Sequence, residues 1–232
     1  MATKKSSADA AFTKATFDYL SDLEENNDKA FFESNRDRYE AFVREPALAF
    51  IRAMAPRLKK AGVPLMADDR KVGGSLMRVH KDTRFSKDKK PYKTNVGIQF
   101  RHPGGKDVHA PGLYLHVSNQ ECFLGLGMWH PESGALNAIR ARIDARSRFY
   151  SKVIGDAKLK KAWRQGGDSL KRPPRGFTPD HPLALELQRK DHILISDLKR
   201  SEVCSAKLID LVTERLMAGK PYLMFLTEAI EQ

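Results

Sequence analysis

The sequence predicts an α+β single domain, with N-terminal helices, a central and mostly antiparallel sheet of about four to six strands, and C-terminal helices. Three observations predict it. Apolar residues recur at helical spacing from about residue 13 to 61, alternate with polar ones between about 76 and 130, and return to helical spacing after Pro131. A chain of 232 residues, 41% of them hydrophobic, is long enough to bury one core, and no long linker divides it. The boundaries expected are a loose tail over 1–11 and one domain over 12–232.

The first helix covers about Thr13 to Glu25, with Phe17, Leu20 and Leu23 on one side. Asn26, Asn27 and Asp28 stop it, and Asp28 or Asn27 caps a second helix carrying Phe31, Phe32, Tyr39 and Phe42. That helix should end near Glu45-Pro46, because proline disfavours helical geometry in its predecessor. A third, Ala47 to Ala61, buries Leu48, Phe50, Ile51, Met54 and Leu58, and Gly62 signals its end. Four strands follow as antiparallel neighbours: Leu76 to His80, Val96 to Arg101, Leu113 to Ser118 and Cys122 to His130. The Gly- and Pro-rich segment 102–112 should be an exposed loop.

Beyond Pro131, Leu136, Ile139 and Ile143 form an apolar stripe, basic helices run to about Gln165, and segment 166–182 is too rich in Gly and Pro to be regular. His192 to Ile195 reads as a short strand. Ser201 caps a helix holding Val203, Leu208, Leu211, Val212 and Leu216; Gly219 ends it, and Pro221 to Ile230 is the last helix.

The net charge of +12 is unevenly placed. Residues 70–93 carry a net +7 and residues 140–175 a net +9, which leaves the remainder at −4. Cys122 and Cys204 form no C-x-x-C pair, so neither a disulfide framework nor a secreted scaffold is expected. The first ten residues lack an apolar core, and nowhere do about eighteen apolar residues run together, so no membrane partner and a cytoplasmic location are expected.

The stretch Ser75 to Thr94 concentrates the charge. Arg78, Lys81, Arg84, Lys87, Lys89, Lys90 and Lys93 stand against only Asp82 and Asp88, a run that repels itself unless solvated or joined by an anion. It reads as an anion-binding loop. The alternative is bracing, with Arg84 and Lys89 paired to Asp82 and Asp88.

The run Arg78-x-x-Lys81-Asp82-x-Arg84-Phe85-Ser86-x-Asp88-Lys89-x-Pro91-Tyr92-Lys93 resembles the signature of a bacterial group of similar length, domain-of-unknown-function family 2461. Supporting pieces are Asn26-Asn27, Phe31-Phe32-x-x-Asn35-Arg36-x-x-Tyr39, Pro111-Gly112-x-Tyr114-Leu115-His116, Gly125-x-Gly127-x-Trp129-x-Pro131 and Leu170-Lys171-Arg172-Pro173-Pro174-x-Gly176. Lys81 stands where that family usually has Arg, and Phe31 where it has Trp. A lysine is a point charge, so bidentate recognition at position 81 is weakened. The resemblance implies a single domain and no particular activity.

Alternation then places side chains. If Leu113, Leu115 and Val117 face the core, the other sheet face presents Arg78, His80, Gln99, Tyr114, His116 and Trp129 over Gly97, Gly125 and Gly127. Glycine inside a strand often marks a ligand's close approach, although a bulge explains it equally. The expectation is a polar, glycine-floored pocket roofed by Asp82 to Lys93. Its ligand set would be Arg78, Lys81, Arg84, Lys89, Tyr92, Lys93, Gln99, Tyr114, His116, Gly125, Gly127 and Trp129. Asn35, Arg36 and Tyr39 would reach in from the second helix. Asp82 and His116 are the candidates for proton transfer.

The spacing lacks H-E-x-x-H, paired Cys/His ligands, a P-loop and a G-x-S-x-G elbow, so neither a metal nor another cofactor is expected. The functional expectation is binding, with or without turnover, of a small anionic or phosphorylated ligand. One alternative is nucleic-acid binding along zones 78–93 and 140–175, with Tyr92, Phe85 or Trp129 stacking on bases. Another is a scaffold for an acidic protein partner.

Overall fold

Helix α1, Lys14–Glu25, buries Phe17, Tyr19, Leu20 and Leu23 on the side that helical spacing predicts. These and all following details come from a computed structural model, which describes residues 12–84, 87–104 and 109–231. The expected tail over 1–11, part of the expected loop at 105–108, and Phe85 lie outside the described residues. Asp28 caps α2, Lys29–Ser34, by accepting from the Phe31 N–H.

The second helix does not end at Pro46. Helix α3, Arg36–Tyr39, passes through a π-helical turn, Glu40–Arg44, directly into α4, Glu45–Ala61. Proline at 46 has no N–H for the carbonyl of Phe42, four residues back. The fully buried Thr16 of α1 supplies the missing donor, its Oγ1 donating to the Phe42 oxygen at 2.7 Å. The wider turn and this borrowed donor together let the chain stay helical across proline. Thr16→Val keeps the shape and orphans the carbonyl, so urea unfolding should show a loss of about 1–2 kcal/mol; an unchanged midpoint would contradict the account. Gly62 closes α4 in the left-handed region at φ +61°.

Five strands form one antiparallel sheet in the order β1-β2-β3-β5-β4. They are β1 Asn95–Arg101, β2 Gly112–Ser118, β3 Cys122–Met128, β4 Arg164–Gly166 and β5 His192–Leu198. β4 lies where helix was expected, and β5 is longer than its predicted span. Leu76 to His80 is not a strand. Leu76 bridges Ile98 and His80 bridges Tyr92, so residues 77–79 stand opposite 93–97, a bulge that interrupts the ladder.

Between β3 and β4 lie α5 Ser133–Ala145, α6 Ser147–Gly155 and α7 Ala157–Ala162; α8 Ala184–Leu187 precedes β5. The short α9, Arg200–Val203, leads to α10, Leu208–Ile230, one continuous helix where a break at Gly219 was expected. Gly219 is not a stop but a point of contact: a β-carbon there would collide with Leu126 of β3 and lie 3.1 Å from the Trp163 indole nitrogen. Pro221 is accommodated within the helix.

One face of the sheet makes the core. Val96, Ile98, Phe100, Leu113, Leu115, Val117, Leu124 and Leu126 all point into it. Helix α10 covers β3, and α4 covers β1. Lys220 Nζ reaches the Ala61 carbonyl at 2.7 Å and ties α10 to the end of α4. The opposite face carries the cleft.

Candidate functional site

Strand pairing decides what that open face presents. Gly97 lies opposite His116, Gln99 opposite Tyr114, Gly125 opposite Tyr114 and Gly112 opposite Gly127. Small residues therefore sit beside large ones, leaving a cleft of about 420 Å³. Its floor is Gly112, Gly125 and Gly127, and its walls are Met77, Phe123, Trp129, Ile193 and Ile195. Gln99, Tyr114 and His116 supply the polar groups.

The glycines do different work. Gly97 seats its neighbours, since a β-carbon there would lie 2.9 Å from the Tyr114 hydroxyl and 3.0 Å from the Met77 sulfur. Gly127 has φ +123°, and a side chain there would run into the His192 carbonyl. Gly125 is the open one: its nearest neighbour is the terminal methyl of Ile193, 3.3 Å from the position of a β-carbon.

Tyr114 and His116 form a neutral pair. The Tyr114 hydroxyl lies 3.0 Å from His116 Nδ1, and the imidazole stacks on Phe123 with centroids 4.8 Å apart and planes 7° from parallel. Burial pushes the tyrosine pKa up to about 12, with Glu121 adding to it. Burial also lowers the pKa of His116, against an opposing pull from Glu121. The hydroxyl keeps its proton, and whether it donates to Nδ1 or accepts from it follows the imidazole tautomer. The pair thus offers hydrogen-bonding groups without a formal charge, beside the Gln99 amide. Among the described residues, no Lys or Arg lines the cleft.

The basic loop lies elsewhere. Lys81 N–H donates to the Pro91 carbonyl and Lys93 N–H to that of Val79, so 79–81 and 91–93 form the neck of a hairpin. Asn27 grips both backbone groups of Tyr92 at 3.0 Å, and the Tyr92 ring stacks on Phe32 at 4.2 Å. The hairpin therefore docks on the corner between α1 and α2. None of its described residues lines the cleft, so the expected roof is absent there.

Within the hairpin, Arg84 chelates Asp82, Lys81 pairs with Asp88 at 2.9 Å, and Lys89 Nζ donates to the Thr83 carbonyl. The hydrogen bond from Arg84 holds Asp82 below the usual carboxylate range. This matches the bracing alternative for Arg84 and Asp82, while Lys81 takes Asp88 and Lys89 takes a backbone carbonyl; the Arg84 pairing engages Asp82 away from His116. Met77 faces the cleft in place of Arg78 and His80: Leu76 bridges core-facing Ile98, so the residue after it falls on the open face. His80 lies against Phe32 and Tyr92. Arg78 is exposed and Lys93 half-buried; burial, then Arg78, lowers the Lys93 pKa.

The residues expected from the second helix also serve the scaffold. Asn35 bonds the Phe31 carbonyl and accepts from Arg38, Arg36 pairs with Glu33, and Tyr39 is buried against Tyr19 and Phe32. In the second basic zone, Arg140 is buried and donates to the carbonyls of Leu187 and Arg189, Arg142 is buried against Glu228, and Arg164 pairs with Asp197.

One arrangement was not visible in the sequence. The buried Asp191 carboxylate accepts from the His130 backbone N–H at 2.7 Å, from His130 Nδ1 at 2.7 Å and from the Asp168 N–H at 2.8 Å. Burial raises its pKa, but these bonds outweigh burial and leave it lowered. Trp129, 47% exposed at the rim, stacks on the His130 ring at 4.1 Å and lies near-parallel to His109. The face of Trp129 toward His130 is therefore not open for stacking on a base.

Among the described residues, no three His, Cys, Asp or Glu side chains gather as a metal site, and no helix is long and apolar enough to cross a membrane. A family model described as "Conserved hypothetical protein (DUF2461)" matches residues 15–225. No curated protein and no solved structure matches the chain.

Proposed function

This chain belongs to the conserved hypothetical family DUF2461, and we propose that it binds a small, mainly apolar molecule in the cleft on the open face of its sheet. The observation that carries this reading is a strand face left uncovered by helix, floored by glycine and walled by Met77, Phe123, Ile193 and Ile195. A merely solvated sheet face has no need of such walls, while ligand sites combine apolar walls with a few oriented polar groups. Tyr114 and His116 are those groups, and they suit a carbonyl or hydroxyl on the ligand.

A second reading, that the ligand is anionic, draws support from Arg78 and Lys93. Neither makes an ion pair among the described residues, and a partly buried lysine beside an arginine is relieved by an anion. Nucleic-acid binding draws less support, because Arg140, Arg142 and Arg164 are committed to protein partners.

Two naphthalene probes separate these readings: neutral N-phenyl-1-naphthylamine and anionic 8-anilinonaphthalene-1-sulfonate, titrated by the rise in their own fluorescence on binding. The cleft reading expects both to bind, and Gly125→Leu to weaken both by about tenfold or more while the protein stays folded. Equal affinity in Gly125→Leu would overturn it. Binding of the anionic probe alone, lost in Arg78→Ala/Lys93→Ala, would favour the second reading.

A further inference from the structure

We propose that His130 and Asp191 are a proton-transfer pair at the Trp129 end of the cleft, with His130 as general base for the attack of water on an acyl ester held there. This rests on the cleft being a ligand site.

The geometry is that of an oriented imidazole. Asp191 is 1% exposed, and both the backbone N–H and the ring Nδ1 of His130 converge on its Oδ1 at 2.7 Å. The ring hydrogen is thereby held on Nδ1, and the basic lone pair stands on Nε2, on a side chain that is 53% exposed. The backbone of His130 is held at φ +49°, a region that non-glycine residues occupy at a cost. The Asp191 carboxylate offsets that cost by bonding two donors of the same residue.

The pair adjoins the cleft through its neighbours rather than lining it. Trp129 and Gly167 line the cleft; the Trp129 ring lies 4.1 Å from that of His130, and a β-carbon on Gly167 would lie 2.9 Å from Asp191 Oδ2. No hydroxyl or thiol is hydrogen-bonded to His130 among the described residues, so water is the nucleophile to which its Nε2 is suited. His116 stands four strand residues from the row of Gly112 and Gly127, about 13 Å along the sheet. The substrate class that fits both ends is an elongated apolar ester, its carbonyl-bearing end at His130 and its other polar group at Tyr114 and His116.

In the step itself, Nε2 takes a proton from water as the water oxygen bonds to the acyl carbon. The tetrahedral intermediate then expels the alcohol oxygen, which takes the proton back from Nε2–H. The products are the acid and the alcohol, and Asp191 remains ionised throughout.

The test uses the full chain and 4-nitrophenyl butyrate, read by release of 4-nitrophenolate. The expected result is a rate in the wild type about tenfold or more above that of His130→Gln. Asp191→Asn should lose the same rate and move the His130 hydrogen to Nε2 in long-range proton–nitrogen spectra, which a purely structural role would not require. Because Asp191 is buried and its variant risks unfolding, the half-exposed His130→Gln decides the matter. Equal rates in wild type and His130→Gln, or no release above buffer while the naphthalene probes still bind, would overturn the pair and leave the cleft standing. A rate lost in His130→Gln but untouched in Gly125→Leu would keep the pair and remove the cleft as its ligand site.

Discussion

Replacing Gly127 with alanine should destabilise the fold by about 3 kcal/mol or more, whereas the same change at Gly125, two residues away, should stay within about 1 kcal/mol. Gly127 lies at φ +123°, where L-residues are strained, and its β-carbon would meet the His192 carbonyl of the neighbouring strand, a backbone atom that cannot move aside alone. At Gly125 the nearest obstacle is the flexible end of Ile193 at 3.3 Å, and φ is ordinary. Urea unfolding of the two variants measures the difference directly. If they lose equal stability, the assignment of Gly127 as structural and Gly125 as open is wrong. If the assignment holds, Gly125 is the position at which added bulk reports on the cleft rather than on folding.

Acid should unfold the protein earlier than carboxylate titration alone requires, because of His192. This residue is fully buried on the core face of β5, and neither ring nitrogen has a hydrogen-bond partner among the described residues. Burial, reinforced by Arg189 and Arg140 and opposed by Asp191, lowers its pKa from 6.5 to about 3. The folded value lies below the unfolded one, so the unfolded chain binds the extra proton. Stability is therefore whole above about pH 6.5 and is lost as pH falls toward 3, at up to about 1.4 kcal/mol per unit. His116 contributes in the same direction. Asp191, also lowered, adds its loss only at the acid end, below the ordinary carboxylate value. A His192→Leu variant, apolar and of similar size, should show a visibly flatter dependence of unfolding free energy between pH 6.5 and 4. Matching slopes in the two proteins would refute the assignment. The same variant should lose little at neutral pH, since an unpartnered imidazole in a core contributes no hydrogen bond there.

Much of the open face was legible before any coordinates. Tyr114, His116, Gln99, Gly125 and Gly127 fall together because the side-chain period of a strand is two, and that period needs no knowledge of what lies across the sheet. Asp28 as a cap and Gly62 as a terminator were readable for the same reason: each acts on backbone within a few residues of itself. The errors share a cause. The sequence reading puts Arg78 over the cleft and Met77 away from it, because what fixes the parity of 76–80 is the bridge from Leu76 to Ile98, a contact between residues far apart in the chain. Pro46 was read as a helix end, because the donor that rescues the Phe42 carbonyl comes from Thr16, 26 residues earlier.

What the sequence determined by itself is the class of fold, the order of its elements and the sidedness of its sheet, since these follow from periodicity and from local backbone chemistry. Only the tertiary structure decided where the basic hairpin docks, that no Lys or Arg among the described residues lines the cleft, and that His130 meets Asp191 across 61 residues. Those are choices among long-range contacts. Their free energies depend on which surfaces happen to meet, and no spacing along the chain records that.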